Sequence, residues 1–93
     1  MHEKVLNGMR ALVLASRYVM TDHAENEMDD EGFTIYDVES AILTGTIQKR
    51  QKDQETGEWK YVVRGNALSG IDLCVVAKIG PMGKLVFITV FTP

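Results

Sequence analysis

The sequence predicts an α+β fold, with two to three N-terminal helices packed on a four-stranded antiparallel β-meander. Three observations carry this. Apolar residues recur at helical spacing up to about residue 44 and at alternate positions beyond it. Polar clusters around Thr21 and Thr34 have the form of helix N-caps. The later β-type segments are joined by short turns, which connect antiparallel neighbours.

From about His2 to Tyr18 there is no proline, and Val5, Met9, Leu12 and Ala15 or Ser16 fall on one side of a first helix. Tyr18-Val19-Met20 reads as a short apolar link. Thr21 and Asp22 then offer side-chain oxygens to free backbone N–H groups, and Asp22 with Glu25 fits a capping box for a second helix. Ala24 and Met28 share its buried face, and Gly32 supplies the left-handed residue that ends it. Thr34 with Asp37 opens a third helix whose buried stripe is Ile35, Val38, Ala41 and Ile42, closed by Gly45.

Past Gly45 the period becomes two. Thr46 to about Lys52 is a polar strand, followed by a Glu55-Thr56-Gly57 hairpin loop and a strand over Glu58 to Arg64. Ile71 to Ile79 places Ile71, Leu73, Val75, Ala77 and Ile79 on one face. After the Gly80-Pro81-Met82-Gly83 turn, strict alternation over Lys84 to Phe91 groups Leu85, Phe87, Thr89 and Phe91 against Val86, Ile88 and Val90.

Ninety-three residues suit one domain, expected over 1–93, with a single core. The 45% hydrophobic and 25% charged composition is that of a folded chain rather than a disordered one. No apolar run approaches the ~20 residues of a membrane helix, and Met1-His2-Glu3-Lys4 does not open like a secretory signal. One cysteine, Cys74, allows no intrachain disulfide and fits a reducing compartment, so a cytoplasmic location is expected. Two histidines and that cysteine are too few soft ligands for a closed zinc site, and neither metal nor cofactor is expected.

The net charge of −3 is unevenly spread. Between Asp22 and Glu39 stand eight acids and no base, whereas Gln48 to Lys84 carries seven bases against four acids. An anionic ligand would therefore meet the strand half. Solvated helix faces and ordinary strand lysines account for the same distribution.

Thr21-Asp22-His23-Ala24, Met28, Gly32-Phe33-Thr34-Ile35, Asp37-Val38, Ala41-Ile42 and Gly45-Thr46-Ile47, with Val62-Val63-Arg64-Gly65-Asn66 and the closing Ile88-Thr89-Val90-Phe91-Thr92-Pro93, follow one another in order. Over about residues 18–93 this series resembles a widespread small bacterial family catalogued as a domain of unknown function. It is marked by T-x-H-A-x-x-x-M and I-T-V-Y-x-P motifs, and its layout is similar to the RelE and BrnT ribonuclease toxins. The resemblance implies metal-independent RNA cleavage. That chemistry needs a base for the 2′-hydroxyl, cations for the phosphorane and an acid for the leaving oxygen. His23 would be the acid/base, Arg64 the fixed cation and Thr89 a hydroxyl for water or a phosphate oxygen. Lys49, Arg50 and Lys60 would meet RNA. The implied partners are RNA and a cognate antitoxin; free sheet edges add another protein or a second copy of the chain as expected partners.

Simpler roles exist for each residue. His23 reaches Glu27 at i, i+4, Arg64 and Lys60 fit an ordinary strand face, and Cys74 a small apolar filler. Trp59 and Tyr61 form either a base-stacking pair or a cross-strand aromatic cluster covering the helices. Two features depart from the toxins: the chain is acidic overall, where RNA affinity calls for positive charge, and Phe91 lacks the hydroxyl of the family's tyrosine. A non-catalytic protein-interaction module, binding through a sheet edge or the acidic helices, is the alternative function.

Overall fold

The computed structural model describes residues 2–93. Its elements are α1 (Glu3–Leu14), β1 (Tyr18–Met20), α2 (Asp22–Asp30), α3 (Ile35–Thr44), β2 (Thr46–Lys52), β3 (Trp59–Asn66), β4 (Asp72–Ile79) and β5 (Leu85–Phe91). The α+β arrangement follows the sequence, but the sheet has five strands rather than four and is mixed, in the order β1-β5-β4-β3-β2. β2 to β5 form the expected antiparallel meander. The added strand is Tyr18-Val19-Met20, which lies parallel to β5 with Tyr18 opposite Leu85 and Met20 opposite Phe87. Three residues are too few to show a period, so their state is decided by the open β5 edge beside them. A left-handed Ser16 (φ 54) ends α1 and turns the chain onto that edge.

β1 also changes how α2 begins. Thr21 is still extended when the helix starts, so Thr21 and not Asp22 is the N-cap. Its Oγ1 accepts from the Ala24 N–H at 3.1 Å, and its hydroxyl donates to the Ile88 carbonyl at 3.0 Å. The Asp22–Glu25 capping box does not form in this register. At α3 the expected pair does meet: the Asp37 carboxylate accepts from the Thr34 N–H at 2.9 Å, and its other oxygen accepts from the Leu68 N–H at 2.9 Å. These two backbone donors hold the Asp37 carboxyl below the usual carboxylate range. At the other end of α3, Arg10 of α1 donates to the Gly45 carbonyl at 2.9 Å.

All three helices pack on one face of the sheet. The shared core takes Leu6, Met9 and Val13 from α1, Ala24 and Met28 from α2, and Val38, Ala41 and Ile42 from α3. The sheet contributes Val63, Leu73, Val75, Ala77, Leu85, Phe87 and Val90. Val90 belongs with Leu85 and Phe87 because a bulge skips Ile88: Ala77 pairs with Phe87, and the next residue on β4, Val76, pairs with Thr89. Strict alternation over β5 is thus corrected. Thr89 and Phe91 lie on the face away from the helices.

Tyr18 links the sheet edge to α3, its hydroxyl donating to Glu39 Oε2 at 2.5 Å. Burial first, and then Glu39, push the Tyr18 phenol from 10.0 up to about 12. The folded chain therefore holds this proton more tightly than the unfolded chain. The resulting stability is present below pH 10 and is lost as pH rises towards 12. Ultraviolet titration is expected to show one tyrosine ionising near pH 12, a step absent from Tyr18→Phe. A Tyr18→Phe chain that unfolds in alkali with an unchanged pH profile contradicts the assignment.

Candidate functional site

The pairing registers divide the strand residues between two faces. Opposite the helices, β3 presents Lys60, Val62 and Arg64, β4 presents Cys74, Val76 and Lys78, and β5 presents Thr89 and Phe91. Val62 and Cys74 are buried without belonging to the helix-side core. Surrounding side chains of this second face cover them, and burial pushes the Cys74 thiol up. The face therefore has a small apolar centre with cations along the β2–β3 side.

A second bulge, at Gln48, decides which cations those are. Ile47 pairs with Val63, but Lys49 pairs with Val62 and Arg50 with Tyr61. Lys49 consequently joins Lys60 and Arg64 on the helix-free face. Arg50 turns to the helix side, where its guanidinium lies 4.1 Å from the centroid of Trp59. The three expected RNA contacts are split, two on one face and one on the other.

Arg64 sits at the end of β3, beside the antiparallel start of β4. Its Nη2 donates to Asp72 Oδ2 at 2.6 Å, both side chains being about half exposed. Asn66 Nδ2 donates to the other Asp72 oxygen at 3.0 Å, fixing the carboxylate. Around this pair a groove of about 260 Å³ is lined by Thr44, Thr46, Gln48, Arg64, Gly65, Asn66 and Asp72. Six of its seven lining residues carry hydrogen-bonding side chains, which suits a polar ligand rather than an apolar one. The groove depends on a close approach beneath it: a Cβ on Gly65 would lie 2.9 Å from Ala41 Cα and 2.8 Å from Ala41 C. Glycine at that point lets α3 rest on β3. Asp72 escapes a reading by motif, because only the β3–β4 register brings it to Arg64 and to Asn66, the next residue of β3 on the same face.

Lys78 Nζ donates to Glu58 Oε1 at 3.1 Å. Two of the four cations on the face are thus paired with carboxylates, leaving Lys49 and Lys60 outside the ion pairs of the described residues.

His23 occupies the second position of α2 and is largely exposed. Its Nε2 is 3.2 Å from Glu27 Oε1, the same oxygen that accepts the Val90 N–H at 3.1 Å. Glu27 thereby occupies the part of the β5 edge that β1 leaves open, and His23 stands outside that edge. Thr89 and Phe91, the neighbours of Val90, face the helix-free side. The structure brings Arg64, Thr89, Lys49 and Lys60 onto one surface, with His23 at its β5 margin and outside the groove that Arg64 lines. Arg64 and Thr89 lie two strands apart with an offset of two residues, roughly 12 Å between backbones at standard strand spacings.

Among the described residues no helix is long and apolar enough to cross a membrane. A family model described as a domain of unknown function (DUF4258) matches residues 20–92, a span beginning with the last residue of β1 and ending past β5. Comparison with curated proteins and with solved structures gives no match.

Proposed function

The chain belongs to the family described as a domain of unknown function (DUF4258), and from that premise we propose that it binds single-stranded RNA across the helix-free face of its sheet, as a RelE-like ribonuclease domain of weak or lost activity. The observation that carries the reading is the collection of Lys49, Lys60, Arg64 and Thr89 on one surface that no helix covers. The acidic residues from Asp22 to Glu39 lie on the helical part of a chain that is acidic overall. Phosphates would be drawn to the sheet side while the net charge keeps binding weak.

The roles divide by position. Lys49 and Lys60 neutralise phosphates as point charges. Arg64 is held in place by Asp72 and offers its remaining N–H donors to an oxygen in the groove. Thr89 supplies a hydroxyl near the β5 margin. His23, bonded to Glu27, is the acid/base candidate at that margin. The spread of these residues accounts for weak catalysis, since acid/base work needs all partners within hydrogen-bond reach of one phosphodiester.

Anisotropy of a labelled single-stranded RNA tests the reading. Three neutralised phosphates give a slope of log affinity on log salt of about −2. Lys49→Gln with Lys60→Gln is expected to lower affinity about tenfold or more and to flatten the slope by more than one. His23→Ala is expected to remove any slow cleavage while leaving binding intact. RNA affinity that ignores both lysines, or no binding at low salt, overturns the proposal.

A second reading has its own observation. Tyr36, Leu43 and Leu68 are exposed around a groove of about 340 Å³ between α3 and the β3–β4 loop. Apolar exposure of that kind supports a protein-interaction module.

A further inference from the structure

The one tryptophan of the chain is not in the core. Trp59 is 40% exposed and, with Val5, Tyr61, Glu58 and Ile79, lines a groove of about 280 Å³ where the start of α1 meets the β3–β4 end of the sheet. Tyr61 is committed as a wall, meeting the His2 ring edge-on at 5.6 Å. Trp59 instead faces two cations: the Arg50 guanidinium 4.1 Å from its centroid and the Lys52 ammonium at 5.7 Å. The ion pairs among the described residues include neither cation. Glu58, the acid of the groove, is paired with Lys78.

An exposed indole beside two unneutralised cations has the chemistry that single-stranded nucleic acid meets: a π-face for a base and positive charge for its phosphate. We infer that Trp59 and Arg50 form a base-stacking site for single-stranded RNA, with Lys52 placed for the adjoining phosphate. The inference rests on the RNA reading above and extends it to the opposite sheet face. The route is set by the bulge at Gln48. β2 is the edge strand, and its consecutive residues Lys49 and Arg50 point to opposite faces. A strand leaving the helix-free face over this edge passes from Lys49 to Arg50 and reaches Trp59.

Because Trp59 is unique, its fluorescence reports on the site directly. Titration with hexa-adenylate is expected to give saturable quenching. In anisotropy with the labelled hexamer, Trp59→Leu is expected to weaken binding about fivefold or more. Trp59→Phe keeps most of the affinity, and Arg50→Gln with Lys52→Gln lowers it about tenfold. Circular dichroism of each variant separates lost binding from lost fold. RNA that binds through Lys49 and Lys60 but neither quenches Trp59 nor responds to Trp59→Leu or the Arg50/Lys52 pair sinks this inference alone, leaving a purely structural contact between Arg50 and Trp59. RNA that does not bind at all removes both readings.

Discussion

Gly65→Ala is expected to cost about 3 kcal/mol and to lower the thermal midpoint by about 12 °C or more. The reason is the nature of the obstacle. The added Cβ would lie 2.8 Å from the carbonyl carbon of Ala41 and 2.9 Å from its Cα. Ala41 is fully buried in the middle of α3, so neither atom can rotate away as a side chain would. Relief requires α3 to lift off β3, opening the core at Val38, Ile42 and Val63. Gly8→Ala is the matched control. Its Cβ meets only Ile79 Cδ1 at 3.8 Å, and alanine inside α1 is favoured over glycine by up to about 1 kcal/mol. Thermal unfolding of the two variants should show opposite signs. A Gly65→Ala protein as stable as its parent would mean that α3 and β3 are farther apart than described.

The same contact shows what a sequence displays and what it hides. The apolar stripes of α2 and α3, the Thr34–Asp37 cap and the four later strands were readable because each rests on spacing within one segment. Leu73, Val75 and Ala77 are buried as alternation requires, while Ile71 and Ile79, at the ends of that face, are exposed. The bulges were not readable. Ile88 lies in an unbroken apolar run, where nothing marks one residue as surplus, so counting by twos placed Thr89 with Leu85 and Phe87. At Gln48 a polar edge strand offers no buried row to betray the slip that turns Lys49 to the face away from Ile47. Each slip reverses every later residue of its strand.

The candidate site divides along the same line. That Lys60 and Arg64 share a face followed from alternation within β3. Asp72 as the partner of Arg64 did not, because it depends on the register across the β3–β4 loop. Glu27 as a substitute for a strand neighbour depends on β1 stopping three residues into its pairing. Sequence periodicity describes faces. Partners across elements come from how the chain closes.

Thr21→Val is expected to cost about 2–3 kcal/mol, although valine matches threonine in shape. The Thr21 hydroxyl has two duties. As acceptor it takes the Ala24 N–H and caps α2, worth about 1 kcal/mol. As donor it satisfies the Ile88 carbonyl at the β5 bulge, and leaving that half-buried oxygen unpaired costs about 1–2 kcal/mol more. Together with its N–H, which bonds the Phe87 carbonyl at 3.0 Å, Thr21 fixes where β1 ends and α2 begins. His23 follows two residues later, and Glu27 reaches the Val90 N–H one turn further on. Loss of the hydroxyl should therefore loosen α2 from β5 at both points. Faster amide exchange at Val90 should accompany the lower thermal midpoint. Thr21→Ser keeps the oxygen and should stay within about 1 kcal/mol of the parent. Should valine and serine destabilise equally, the threonine acts by packing alone, and the position of His23 owes nothing to its hydrogen bonds.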